Sequence, residues 1–159
     1  MSNPTKGKAI RELNLGIHVE KSLAALADAN IFTTYGPVLI NLIWGQVTAA
    51  GDGGATTILL QEETGTQDLC AATTVTSDAI GTVYFLTGEM AVILNGTGNA
   101  PIVDIGACLT GMPHSPIIFG RTATANAIQL VQTGDDASLV ITWHCYYVPL
   151  EEGAYVEAA

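Results

Sequence analysis

Nucleophilic, acid–base and metal chemistry all need a few side-chain types held together, and this sequence holds few of them: His18, His114 and His144, Cys70, Cys108 and Cys145, and fifteen carboxylates. The histidines fit neither an H-x-x-x-H nor an H-E-x-x-H frame, the spacings that place two imidazoles on one helix face around zinc. The cysteines are odd in number and lack a C-x-x-C pair, which speaks against both a zinc site and a closed disulfide framework and leaves buried free thiols. His144 beside Cys145 offers imidazole and thiol, yet neighbours on a strand point to opposite faces and cannot share a proton. His144 is therefore expected to be a hydrogen-bonded or interfacial side chain in mid-strand, and His114, within Met112-Pro113-His114-Ser115-Pro116, an exposed loop residue. The acidic pairs Glu62-Glu63, Asp135-Asp136 and Glu151-Glu152 read as solvated turns, because calcium loops need alternating oxygen ligands and Asp52-Gly53-Gly54 supplies one carboxylate. Gly51, Gly53 and Gly54 lack the lysine of a phosphate loop, and Gly96 and Gly98 lack the third glycine and following helix of a dinucleotide site. The expectation is a protein with no catalytic residues, no metal and no cofactor, hence not an enzyme.

The composition says what would have to position any such groups. A chain of 159 residues is the usual size of one domain and buries roughly 70 % of its unfolded surface. Hydrophobic residues make up 48 % and mean hydropathy is +0.37, far from the pattern of a disordered chain. Charged residues make up only 13 %, against about 25 % in ordinary soluble domains. The net charge of −10 is unevenly spread: Lys6, Lys8, Arg11 and Lys21 are four of the five bases, and from Ser22 onward Arg121 stands alone against thirteen acids. Such a body repels nucleic acid and anionic membranes, and Tyr84, Phe85, Trp143, Tyr146 and Tyr147 fall in it rather than among the bases. The longest apolar run, 37–44, is broken by Asn41 and too short to span a bilayer as a helix. Residues 1–20 lack the apolar stretch of a signal peptide, so a chain made and kept in a cytoplasm is expected.

Residues 1–15 are polar, contain Pro4 and Gly7 and show no sustained period; they read as an extended arm, with a helix over 8–14 too short to stand alone. The texture changes from Gly16. Runs rich in Val, Ile and Thr occupy 17–27, 38–49, 56–62, 68–74, 82–86, 91–94, 102–107, 117–119, 127–132 and 138–149, separated by Gly, Asn and Asp clusters. This spacing predicts an all-β antiparallel sandwich or barrel, jelly-roll-like, over 16–159, with the Ala-rich stretch 22–29 as the place where a helix competes. In the last run Leu139, Ile141, Trp143, Cys145 and Tyr147 share one face and Val140, Thr142, His144, Tyr146 and Val148 the other; 38–44 is likewise apolar on both faces. A sheet with one wet face shows cleaner alternation, so Trp44, Trp143, Cys145, Tyr146 and Tyr147 are assigned to the core or to a subunit interface.

Two segments carry a resemblance. Gly16-Ile17-His18-Val19-Glu20-Lys21, then Asn30-Ile31-Phe32-Thr33, Tyr35-Gly36-Pro37-Val38-Leu39-Ile40 and Gly45-Gln46-Val47-Thr48, resemble the opening of small structural proteins of tailed bacteriophages. Trp143-His144-Cys145-Tyr146-Tyr147-Val148-Pro149-Leu150-Glu151-Glu152-Gly153-Ala154 is similar to their Trp-x-x-Tyr-x-Pro-Leu-acidic-acidic-Gly-Ala ending. The middle matches in texture only. The chain thus resembles the head decoration, or capsid cement, proteins. The resemblance implies an all-β virion protein, commonly a homotrimer, that binds the major capsid protein on the outside of a phage head.

The basic start is not part of that match. Lys6, Lys8, Ile10, Arg11 and Leu13 are assigned to a capsid-gripping arm; a basic arm on an acidic globule either meets an acidic partner surface or is simply solvated. The other reading is a fibre or tail-associated sandwich module that recognises a cell-surface glycan, for which Tyr84, Phe85 or Tyr155 would have to be exposed.

Overall fold

Short Val-, Ile- and Thr-rich runs punctuated by turn residues become strands once each finds a partner. The computed structural model describes residues 4–64, 66–86, 93–96, 117–120 and 125–159. In chain order these form α1 (Pro4–Leu15), β1 (Ile17–Ala25), β2 (Ala29–Tyr35), β3 (Val38–Ala49), β4 (Thr57–Glu62), β5 (Gln67–Asp68), β6 (Thr73–Thr74), β7 (Val83–Leu86), β8 (Ile93–Gly96), β9 (Ile117–Phe119), β10 (Asn126–Thr133), β11 (Asp136–Pro149) and β12 (Tyr155–Ala158). The strands build two antiparallel sheets packed face to face, an all-β sandwich. The first sheet runs β1-β11-β3-β7-β8, with β9 also on β3; the second runs β12-β2-β10-β4-β5, with β6 also on β4.

The alternation of β11 sets the core. Leu139, Ile141, Trp143 and Cys145 are fully buried and Tyr147 nearly so, all on the inner face. Val38, Ile40, Ile43 and Val47 of β3 join them, and Ile58 and Leu60 of β4, Ile128 and Leu130 of β10 and Ile31 and Phe32 of β2 close the core from the second sheet. β3 changes register on β11 twice: Tyr146 pairs with Leu42 and Tyr147 with Ile40, so Asn41 is the extra residue of a bulge that keeps Val38 and Ile40 inward together with Ile43 and Val47, and Thr48 is skipped between the Val47–Ile141 and Ala49–Val140 pairs. Gly45 lies directly opposite Trp143, and a β-carbon there would stand 2.8 Å from the indole Cε3. The glycine is what lets the largest core ring lie flat against the neighbouring strand.

Several expectations need correction. The segment expected to be an extended arm is helical, as α1. Pro4 occupies the first helical position, Lys8 and Glu12 pair at 3.5 Å across one turn, and Gly16, at φ +96°, ends the helix by donating its N–H to the Glu12 carbonyl at 3.1 Å. The 22–29 stretch is not a helix: β1 runs to Ala25, with Leu23 packed against the core and opposite Ile141. The run 68–74 divides into β5 and β6, and β2 and β12 were not among the expected runs. Asp136, expected in a solvated turn, is buried; its carboxylate accepts from the backbone N–H groups of Asp52 (3.1 Å), Ser138 (2.9 Å) and Leu139 (3.0 Å), tying the 51–54 turn to the start of β11. The run 102–107, Cys108, His114 and Arg121 lie outside the described residues.

Candidate functional site

A sandwich strand shows one face to the core and the other outward, so residues on the outer face of the first sheet can be read off in cross-strand rows. In one row Glu20 of β1 pairs with His144 of β11, His144 with Trp44 of β3, and Trp44 with Phe85 of β7. In the next, His18 pairs with Tyr146 and Tyr146 with Leu42. In the row on the other side Ser22 pairs with Thr142, their hydroxyls 2.7 Å apart. The outer face therefore carries aromatic and imidazole rings across four adjacent strands.

These rings stack. Trp44 lies on His144 with centroids 4.1 Å apart and planes 15° from parallel, His144 on His18 at 5.3 Å, and His18 on Tyr146 at 4.6 Å. His18 covers Tyr146, which is consequently buried although it points away from the core. The His18 Nε2 and His144 Nδ1 atoms are 3.1 Å apart, a hydrogen bond in which one ring donates and the other accepts. A Glu20 carboxylate oxygen lies 3.4 Å from the same His144 Nδ1. Burial lowers the pKa of both imidazoles, opposed in each by Glu20; His18 further depresses His144, and the cations Arg11 and Lys8 further depress His18. Both shifts favour the uncharged rings over an ion pair with Glu20.

The helix meets this sheet at its root. Asn41, the bulge residue, donates its side-chain N–H to the Leu15 carbonyl at 3.0 Å. Beyond the root α1 projects: Lys6, Lys8, Ile10, Arg11 and Leu13 are all exposed, Leu13 at 86 % and Ile10 at 60 %. Ile10 and Leu13 lie one turn apart on the helix, and Ile17 on β1 is also exposed.

The residues assigned to core or interface divide between the two faces. Trp143, Cys145 and Tyr147 are in the core, whereas Trp44 and Tyr146 lie on the outer face. Burial pushes the Cys145 thiol up to about 12 and Cys70 up to about 11; Cys70 Sγ accepts from the Leu60 N–H at 3.2 Å. Of the aromatics that a glycan platform would use, Tyr84 is fully buried with its hydroxyl donating to Asp78 at 2.6 Å, Phe85 is half-buried, and Tyr155 is exposed and stacked on Tyr35 at 4.5 Å.

Sequence reasoning found His144 without its partners. His18 and Glu20 stand two apart on one strand, and His144 is 126 residues from His18. Only the β1–β11 register brings the three together, and a His-x-Glu step on a strand next to a second histidine-bearing strand was the signal. Compared with protein-family models, with curated proteins and with solved structures, the chain matches none.

Proposed function

We propose that the chain is a virion structural protein of the decoration class, which binds the outside of a phage head as a homo-oligomer and stabilises the shell through contacts to the major capsid protein. Its work is cohesion rather than catalysis. The observation that carries this reading is α1: a basic helix with two large apolar side chains, Ile10 and Leu13, held out from the sandwich. Such a helix gains by burying those side chains on another molecule, at roughly 1.5–3 kcal/mol for each one fully covered. The resemblance of both ends of the chain to decoration proteins and the low charge content support the same reading. Three weak contacts repeated about a three-fold axis bind a shell by avidity, without a large interface per chain.

Two measurements test it. Light scattering on a size-exclusion column, over a hundredfold range of concentration, is expected to give a stable trimer. Deletion of residues 1–15 is expected to leave a folded oligomer that no longer cosediments with phage heads. A monomer at every concentration together with undiminished cosedimentation of the deleted chain overturns the proposal. Binding to a cell-surface glycan through Tyr155, exposed and stacked on Tyr35, is the outcome that would put the fibre-module reading in its place.

A further inference from the structure

Three side chains on the outer face of the first sheet bring electron-pair donors close together. His18 and Glu20 stand at i and i+2 of β1, so they share a face, and His144 is directly opposite Glu20 on β11. His18 Nε2, His144 Nδ1 and a Glu20 carboxylate oxygen all lie within 4.8 Å of one another.

Two of the three separations are those of ligands sharing one ion. With metal–nitrogen bonds of about 2.0–2.1 Å, two donors on one metal stand roughly 2.9 Å apart at a right angle and about 3.4 Å apart at the tetrahedral angle. The His18–His144 pair, at 3.1 Å, lies between these values, and the Glu20–His144 pair, at 3.4 Å, matches the second. In the metal-free arrangement one proton lies between the two imidazoles; when the donor ring carries that proton on its other nitrogen instead, both facing nitrogens and the Glu20 carboxylate offer lone pairs to a cation. The rings are already held by stacking, His144 between Trp44 and His18 and His18 against Tyr146. Aiming their lone pairs needs only rotation about the soft terminal torsion. Glu20, 63 % exposed, is free to close on the ion from the solvent side.

We propose that His18, Glu20 and His144 form a binding site for a divalent transition-metal ion of the zinc class. Two imidazoles and a carboxylate suit Zn2+, Co2+, Ni2+ or Cu2+; a set with so much nitrogen disfavours Mg2+ and Ca2+, and the lack of thiolate disfavours Cu(I) and iron–sulfur clusters. Three protein ligands leave the remaining positions to water or to a donor from a neighbouring molecule. The site is independent of the decoration reading: it is tested on the isolated chain, and neither result bears on capsid binding.

The test is calorimetric titration of ZnCl2 into the full-length chain, prepared without a polyhistidine tag and stripped with chelator, with MgCl2 as the comparison. One Zn2+ per chain with a micromolar Kd is expected, and no saturation by Mg2+. Glu20→Gln, at an exposed position, is expected to raise the Kd for Zn2+ by more than about tenfold, and His18→Gln to remove saturable binding. His114→Gln, remote in sequence, is expected to leave the titration unchanged. Far-UV circular dichroism of each variant separates loss of ligand from loss of fold. Absence of saturable Zn2+ binding by the native chain, or binding that survives in both folded variants, overturns the proposal.

Discussion

Trp143 and Gly45 form the contact on which the core depends most directly, and the two substitutions there should not add. Trp143 is fully buried, and its Nε1–H has no hydrogen-bond partner among the described residues. Truncation to alanine removes the ring and leaves a cavity, a change that costs about 3–5 kcal/mol in comparable cores. The unpaired N–H already costs the native state about 1–3 kcal/mol, and its removal offsets part of that loss, so Trp143→Ala is expected to cost ~2–4 kcal/mol. Gly45→Ala acts in the opposite sense on volume. Its new β-carbon would meet Cε3 at 2.8 Å and Cζ3 at 2.9 Å of the indole, and Cγ2 of Ile141 at 3.0 Å. Overpacking of this kind costs about 1–3 kcal/mol, and the lost flexibility of glycine returns ~0.5–1 kcal/mol, for a net cost of about 1–2 kcal/mol. In the Trp143→Ala background two of the three clashes vanish, and Gly45→Ala should then cost nearly nothing. The cycle is therefore expected to show ~1–2 kcal/mol of coupling, the double variant being more stable than the sum of the singles predicts. Urea unfolding followed by far-UV circular dichroism measures it, at one fixed protein concentration because assembly would otherwise shift the midpoint. Additivity within about 0.5 kcal/mol, or a Trp143→Ala cost below ~1 kcal/mol, would refute the assigned register of β3 on β11.

Two further predictions follow from buried groups. Asp136→Ala strands three backbone N–H groups and is expected to cost ~3–5 kcal/mol, while Asp136→Asn keeps one carbonyl acceptor and is expected to cost clearly less; equal losses in denaturant midpoints would show that the carboxylate oxygens are not what holds the turn. Because burial raises the Cys70 and Cys145 thiols to about 11 and about 12, from an ordinary value of 9.0, the native state holds both protons and the unfolded state releases them first. Their stabilisation is complete below pH 9 and is lost as pH rises towards 12, on the order of 4–7 kcal/mol in all. In a Cys108→Ser chain at pH 8 a thiol-specific reagent should react only as fast as the protein unfolds; rapid modification would refute the burial.

The fold was legible in the sequence where one strand's own alternation decides it. The inner row of β11, Leu139 to Tyr147, could be named from the period of two alone, and each member is in the core. Local reasoning failed where a second segment decides. β2 and β12 are short and polar in part, and they become strands by pairing with each other and, for β2, with β10. Asp136 looked like one half of a solvated acidic pair, but its place opposite the 51–54 turn makes it the acceptor for three N–H groups. The helix was hidden because residues 4–15 have no apolar stripe facing a core; its signals were terminal, Pro4 at the start and Gly16 just past the end. His18, Glu20 and His144 were each visible, yet their meeting is a property of register, which a strand cannot announce by itself.

The two outer faces of the sandwich make an internal comparison that composition cannot. On the second sheet the outward pairs between β4 and β10 are mostly hydroxyl and amide: Thr57 with Thr133, whose hydroxyls are 2.6 Å apart, and Gln61 with Gln129, the Gln61 amide donating to Asp68 at 2.7 Å; Leu59 with Val131 and, at the β2–β12 edge, the stacked Tyr35 with Tyr155 are the exceptions. On the first sheet the corresponding rows hold Leu42, Trp44, Phe85 and Tyr146 with two imidazoles. Both faces belong to one chain with one overall hydropathy, so the difference is local. Water suits the first pattern, and a partner rich in apolar contacts suits the second, since aromatic residues are enriched and charges depleted at the centres of protein interfaces. The root of α1 is tied to this same sheet through Asn41 and through Gly16 into β1. On the decoration reading proposed above, a partner surface that covers Ile10 and Leu13 would approach this same sheet, so the exposed helix and the aromatic rows would fall to one contact region.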